Sequence, residues 1–317
     1  MAIPTLGTAS HAAFVVEGEA GTRQAIVGGA ASDEFLDLVS ESIDYKPVLN
    51  RLRPLVGTRI SHGDFEFVSH HDGGGGLVCR PRHGQMAALM HLILGPVAAG
   101  HYYPVASDVD LPTFTLEVLK ASMIEIALAG CKVNTATFRS AGNEPLTLEL
   151  DIVGGSGERN PGDLTALNVT ILAAEKPFMH GLLTPTFTTE AWLGGATPEP
   201  IRSVEIVLNN NLDAESYGNS VNRNVIPVGI FELTGTMEVP FNSTTKAFWT
   251  EMINATEVTF SLQWADPDAA TLTFTITAKL DGDLPDIGDV DPQWLTVNFH
   301  GTYTVTNARA IDVEVSA

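Results

Sequence analysis

Three groups of residues have the atoms that a site would need. His70, His71 and Asp72 carry metal-ligand atoms, and Gly73, Gly74, Gly75 and Gly76 follow them directly. A bare glycine backbone can cradle phosphate on its N–H groups, but no lysine followed by Ser or Thr comes after this run and no GxGxxG opens a helix. Adjacent residues of an extended chain point to opposite sides, so His70 and His71 do not converge on one ion, and their spacing matches no zinc pattern. The third group, Asp281, Asp283, Asp286, Asp289 and Asp291, offers hard oxygens for Ca2+. Pro285 intrudes and no bidentate glutamate closes the run, so a solvated acidic loop is the better expectation. No G-x-S-x-G, no H-E-x-x-H and no cysteine in a recognisable catalytic setting is present. The expectation is a protein without enzymatic activity, cofactor or metal.

The elements that would position these groups read mainly as strands. Phe65 and Phe67 alternate with Asp64 and Glu66, and Met237 and Val239 alternate with Thr236 and Glu238, the period of two of a half-buried strand. Further strands are expected over 114–119, 124–138, 146–153, 258–264, 271–279 and 295–304. In Leu272, Phe274 and Ile276 one face is apolar, whereas the intervening threonines are wettable, as in an antiparallel sheet with one face in a core and one in water. Helices are expected over 84–94 and 244–254, with Asn242 to Thr245 as capping candidates for the second. The segment 33–43 reads as a short helix or strand.

A repeat organises these elements. Residues 50–67 and 222–239 share one spacing without slip: Asn50 with Asn222, Arg51 with Arg223, Gly57 with Gly229, Gly63 with Gly235 and Glu66 with Glu238. So distant a repeat implies two tandem domains instead of an array of small units. The chain of 317 residues also exceeds the usual span of one core. The expected division is an N-terminal arm over 1–35, a first domain over 36–160, a connecting segment over 161–200 and a second domain over 201–317. Within the first domain, 69–83 is expected to be an inserted mobile loop around the four glycines.

Thirty-eight acidic against seventeen basic residues give a net charge of -21, which disfavours wrapping around phosphate and suits a surface that must not stick to another polyanion. Two cysteines are too few for a disulfide scaffold, and nothing at the start reads as a signal peptide, so synthesis in the cytoplasm is expected. The most apolar window, Gln85 to Gly100, is interrupted by His91, Gly95 and Pro96 and falls short of a membrane span.

Ser40-Glu41-Ser42-Ile43 before Gly57-Thr58-Arg59, Gly130 to Asn134 running into Leu146 to Gly154, and Ser203-Val204-Glu205 leading to Asn209-Asn210-Asn211-Leu212 together form an ordered set. This set resembles the tail tube (major tail) proteins of long, non-contractile-tailed bacteriophages, in the form with two tube domains per chain, from about Ala13 to Tyr303. The resemblance implies a mainly β fold of duplicated sandwich or barrel domains, each with one flanking helix. It implies three chains per pseudo-hexameric ring, rings stacked head to tail, and a virion tube through which genomic DNA passes without specific binding. Partners implied are the tape measure, tail terminator and distal tail proteins, with no membrane.

Under that reading Asp64, Glu66, Thr236 and Glu238 are expected to line the lumen, and His70 to Gly76 to lie in a loop between rings. A non-polymerising baseplate, hub or secretion-tube ring is one alternative. The other is a carbohydrate- or cell-binding sandwich that stacks ligands on Trp192, Trp264 or Trp294, which requires those rings to face solvent.

Overall fold

The computed structural model describes residues 10–26, 34–51, 66–95, 100–104, 110–121, 123–162, 175–187, 200–223, 225–242, 245–282, 293–303 and 309–316. Its strands are β1 His11–Val16, β2 Glu34–Leu36, β3 Leu38–Glu41, β4 Asp44–Arg51, β5 Glu66–Cys79, β6 His101–Tyr102, β7 Phe114–Lys120, β8 Ile124–Ala141, β9 Thr147–Gly154 and β10 Ser156–Arg159. They continue with β11 Met179–Phe187, β12 Ser203–Asn209, β13 Glu232–Pro240, β14 Glu257–Ala265, β15 Thr271–Asp281, β16 Trp294–Gly301 and β17 Ile311–Ser316. The helices are α1 His83–Leu94, between β5 and β6, and α2 Lys246–Asn254, between β13 and β14. The protein is therefore mainly β, with every strand pairing antiparallel.

Alternation dictates the burial. Along β14 every second residue from Val258 through Phe260 and Leu262 to Trp264 is buried, and along β15 Leu272, Phe274 and Ile276 answer them. Successive Cβ atoms of a strand point to opposite faces, so these positions meet in one layer while the threonines stay wet. Aromatic rings then fill the space: Phe260 meets Phe299 at 5.3 Å and Trp264 meets Phe274 at 5.5 Å, both edge to face.

Strand β8 joins the layers. Its first half lies between β7 and β10, and its second half between β9 and β12. Gly130, at φ 65°, stands where the strand changes partners, and the register slips on both sides of it. The pairing of β8 with β12 runs from Ala141 with Ser203 to Thr135 with Asn209, so sequence-distant parts of the chain share one sheet. Phe138 of β8 packs on Phe274 of β15 at 4.9 Å, and one buried cluster runs continuously from Ala12 to Val313.

Several expectations change in detail. The segment expected as an N-terminal arm carries β1, which pairs with β7 along its whole length and with β2 on the other side. The segment 33–43 forms β2 and β3. Part of the connecting segment forms β11, an added strand on β14.

The inserted loop is corrected outright. Residues 69–79 belong to β5, a strand of 14 residues, and residues 80–82 lead directly into α1 at His83. His70, His71 and Asp72 pair with β4, and Gly73, Gly74, Gly75 and Gly76 pair with β9. Glycine is required there because the neighbouring backbone comes so close: a Cβ on Gly75 would sit 2.5 Å from Ser42 O, and one on Gly74 would strike Ile152 O. A run that reads as a flexible turn is instead a strand pressed between two backbones.

Candidate functional site

The wet face of the central sheet is the candidate. Across β16, β13, β12, β8 and β9, one row reads Asn298, Thr236, Glu205, Arg139 and Thr147 in direct register. Thr236 and Glu238 face this side of β13, while Met237 and Val239 between and beyond them are buried. Thr236 Oγ1 donates to Asn298 Oδ1 at 3.0 Å, and Glu238 lies 3.7 Å from Arg202. Arg139 bridges the seam, donating from Nε to Glu205 on β12 and from Nη1 to Glu149 on β9, each at 2.8 Å. Those two carboxylates hold the guanidinium more firmly protonated, the hydrogen bond to Glu205 contributing most. Among the described residues Glu149, Asp151, Glu205 and Glu238 outnumber Arg139 and Arg202 here, so the face carries net negative charge.

The other expected wall positions separate. Glu66 opens β5 opposite Arg51, on the stretch paired with β4 beyond the last rung shared with β9. Asp64 lies outside the described residues. This stretch exposes Leu49 and Phe67.

The repeat positions also differ in local structure. Asn50 and Arg51 end strand β4, whereas Asn222 and Arg223 stand in the β12–β13 connection, outside any strand. Gly229 follows in that connection, packed on Asn211 O, and Gly235 is in β13. Gly57 and Gly63 lie outside the described residues.

Sequence reasoning named Arg223 but missed what it does. Its buried guanidinium donates from Nη1 to Gly73 O and Gly154 O, both at 3.1 Å, from Nη2 to Asp72 Oδ1 at 2.7 Å, and from Nε to Ala214 O at 2.6 Å. Close by, the buried Lys132 Nζ donates to Ile226 O at 2.8 Å and pairs with Asp110. Asn210 Nδ2 donates to Ile93 O, at the end of α1, and to Val133 O. Three buried donors thus fasten the β12–β13 connection across the ends of β5, β8 and β9. An arginine in a Gly- and Asn-rich connection was the available signal, because a fixed fork of donors suits converging carbonyls.

Two features that look like chemistry are structural. Ser140 Oγ donates to His180 Nδ1 at 2.9 Å, His180 Nε2 donates to Ile201 O, and Trp264 Nε1 donates to Ser140 Oγ at 3.0 Å. All three residues are buried, so the serine hydroxyl is spent inside the core. Trp264 therefore offers no stacking surface; Trp294 is half-buried beneath Arg202, and Trp192 lies outside the described residues. Among the described residues no cluster of three or more His, Cys, Asp or Glu could hold a metal ion, and no helix is long and apolar enough to cross a membrane. Asp281 is exposed at the end of β15, and the rest of the acidic run lies outside the described residues.

The acidic, threonine-rich sheet face shows no convergent site among the described residues. The family described as phage tail tube protein matches residues 8–301. The chain belongs to the phage tail tube protein family. No curated protein matches it. As a tail tube protein it is a structural, non-enzymatic component of the virion tail.

Proposed function

We propose that the chain is a two-module tube subunit of a long, non-contractile tail, three copies of which close a pseudo-sixfold ring that stacks head to tail into a conduit for DNA. One observation carries this reading: a single order of pairings occurs twice. In the first half β4 pairs with β5, α1 follows, β7 pairs with β8, β8 with β9, and β9 returns to β5. In the second half β12 pairs with β13, α2 follows, β14 pairs with β15, β15 with β16, and β16 returns to β13. The rungs correspond closely: Cys79 with Leu148 and Leu77 with Leu150 match Val239 with Leu295 and Met237 with Val297. This correspondence sets Gly75 beside Gly235.

The seam between β8 and β12 joins the two ladders into one sheet, whose ends have no further strand partner among the described residues. Among the described residues, β4 has β5 as its one strand partner, and the first half of β16 has only β13. Open edges of a long sheet invite pairing with another copy, and a ring abolishes them. The wet face then lines the bore, with Thr236 and Glu238 beside Glu205 and Glu149. An acidic wall repels the phosphates of DNA in transit instead of gripping them. The tape measure, terminator and distal tail proteins are its partners at the tube ends.

Native mass measurement of the purified chain, with electron microscopy of the same sample, tests the reading. Three chains per ring and regular stacks are expected. Isolated rings that never stack would favour a hub or baseplate component, and a persistent monomer would overturn the proposal.

A further inference from the structure

Three contacts fasten the two halves inside one chain. Arg223 forks onto Gly73 O and Gly154 O, both at 3.1 Å, and onto Asp72 Oδ1 at 2.7 Å. Asn210 Nδ2 donates to Ile93 O and Val133 O, each at 3.0 Å. Strand β6, which follows α1, pairs with the last strand β17, Tyr102 with Val313 and His101 with Glu314. Each contact has one end in the first half and the other in the second. In a ring the first half also meets the second half of another copy, with β4 in the role that β12 has inside the chain, and the corresponding positions there are built differently. The carbonyls of Gly73 and Gly154 become those of Leu233 and Gly301. The Leu233 side chain packs so closely on Gly301 that a Cβ on the glycine would lie 2.7 Å from it. A planar guanidinium needs bare backbone to reach two carbonyls at once, and the leucine fills that opening. Asn210 becomes Pro47, one rung past Asn209 with Glu232 and Lys46 with Asp72, and proline has neither a side-chain donor nor an N–H. After α2 the left-handed Ala255 turns the chain straight into β14 at Glu257. The second half thus has no β6 to lay on β10, the strand that pairs with β8 as β17 pairs with β15.

We infer that a ring of these chains has joints of two kinds, a locked one inside each chain and an unclamped one between chains, and that rings open at the second. The inference rests on the tube reading and adds to it which joint yields. The charged groups agree with it. Lys132, whose buried Nζ donates to Ile226 O, corresponds to the exposed Lys279, and the half-buried Asp72 under Arg223 corresponds to the exposed Glu232. Withdrawing a buried donor is costly, because it and its acceptor are left unpaired out of water, whereas an exposed charge is already solvated. Parting the two halves of one chain strips Arg223 and Asn210 of their acceptors; parting two chains at the corresponding rungs strips neither. Duplication within one chain therefore holds every second joint with buried donors and leaves the others reversible.

Full-length chains test this, beginning with Glu232→Ala and Lys279→Ala at the counterparts of Asp72 and Lys132. Both variants are expected to form tubes at concentrations within about twofold of the wild type, whereas a rise of about tenfold in either would show a filled clamp between copies and overturn the inference. Wild-type tubes titrated with urea, with hydrogen exchange followed along the chain, give a second readout that needs no substitution. Rings and tubes are expected to release single chains in which the amides pairing β8 with β12 and β6 with β17 stay protected, that protection being lost only at higher urea. Loss of assembly and of this protection in one step would overturn the inference while leaving the tube intact. A wild-type chain that forms neither rings nor tubes would instead overturn the tube reading, and the two kinds of joint with it.

Discussion

In the proposed duplication Gly75 and Gly235 stand on corresponding rungs of the two ladders, yet what crowds them is different. Opposite Gly75 is backbone: a Cβ would lie 2.5 Å from Ser42 O, and the residue holds φ 137°. Opposite Gly235 is mainly a side chain, the Phe299 ring, with Glu205 O behind it at 2.5 Å from a Cβ. Both glycines thus let a backbone carbonyl come close, Gly75 in a positive-φ conformation and Gly235 while also admitting an aromatic ring into the core. The first half correspondingly packs the Met- and Leu-rich α1 on its sheet, whereas the second fills with Phe260, Phe274, Trp264 and Phe299. One pairing plan tolerates two kinds of filling, so identity of side chains is a poor guide to equivalence of position.

The sharpest way to break this comparison is to add atoms at both glycines. Gly75→Val should cost about 4 kcal/mol or more, since positive φ and a backbone clash add and neither neighbour can rotate away. Gly235→Ala should be milder and partly rescued by Phe299→Leu, whereas no side-chain change should rescue Gly75→Val. Thermal unfolding of the four variants measures this; equal costs, or rescue at Gly75, would remove the distinction.

Arg223→Ala comes next. It leaves Asp72 without its partner and three carbonyls without this donor, a loss of about 3 kcal/mol. Chemical denaturation should show it as one cooperative loss, because the connection is fastened to the first half while its strands belong to the second. Retained stability would mean that the three donors are ornamental to the seam.

How much of this was legible depended on whether the signal was local. Period-two alternation located β14, β15 and β9 closely, because burial of one face is written residue by residue. The wet positions Thr236 and Glu238 followed from the same rule. The four glycines misled because loss of side chains reads equally as freedom and as close approach, and only the partner strands Asp44–Arg51 and Thr147–Gly154 decide between them. The proposed correspondence of Gly75 with Gly235 was hidden for a similar reason: it rests on hydrogen-bond register, while the visible Asn-Arg match sets the end of β4 against residues outside any strand. Arg223 was visible as a residue but not as a clamp, since its four acceptors come from β5, β9 and the connection itself.

The thiols offer a smaller effect with a definite sign. Burial pushes Cys79 up to about 12 from its ordinary 9, and pushes Cys131 up as well. Below pH 9 both are neutral in folded and unfolded chains and have no pH-dependent effect. Above it the unfolded thiols ionise and the folded ones do not, so stability falls as pH rises toward 12, by about 1.4 kcal/mol per unit for each thiol. Both cysteines lie in the first half, and Cys79 occupies the rung of Val239 in the second. Cys79→Val should therefore remove part of the alkaline loss, as read by unfolding between pH 9 and 10.5. An unchanged slope would show that the first half opens locally before the chain unfolds.

The smallest expected effect lies at the most conspicuous charge network. Arg139 touches carboxylates on both sides of the seam, but it is 54% exposed, and Glu205 and Glu149 are 43% and 48% exposed. Water and salt screen such pairs, and holding long side chains in place offsets much of the attraction, so Arg139→Ala should cost below about 1 kcal/mol and less still at high salt. The buried seat of Arg223 and the wet bridge of Arg139 thus span the same seam with unequal weight, one holding the connection and the other setting the charge of the face. Removing Arg139 should leave stability nearly unchanged while making the proposed bore wall more negative. A loss as large as that of Arg223→Ala would instead make the surface network the main fastening of the seam.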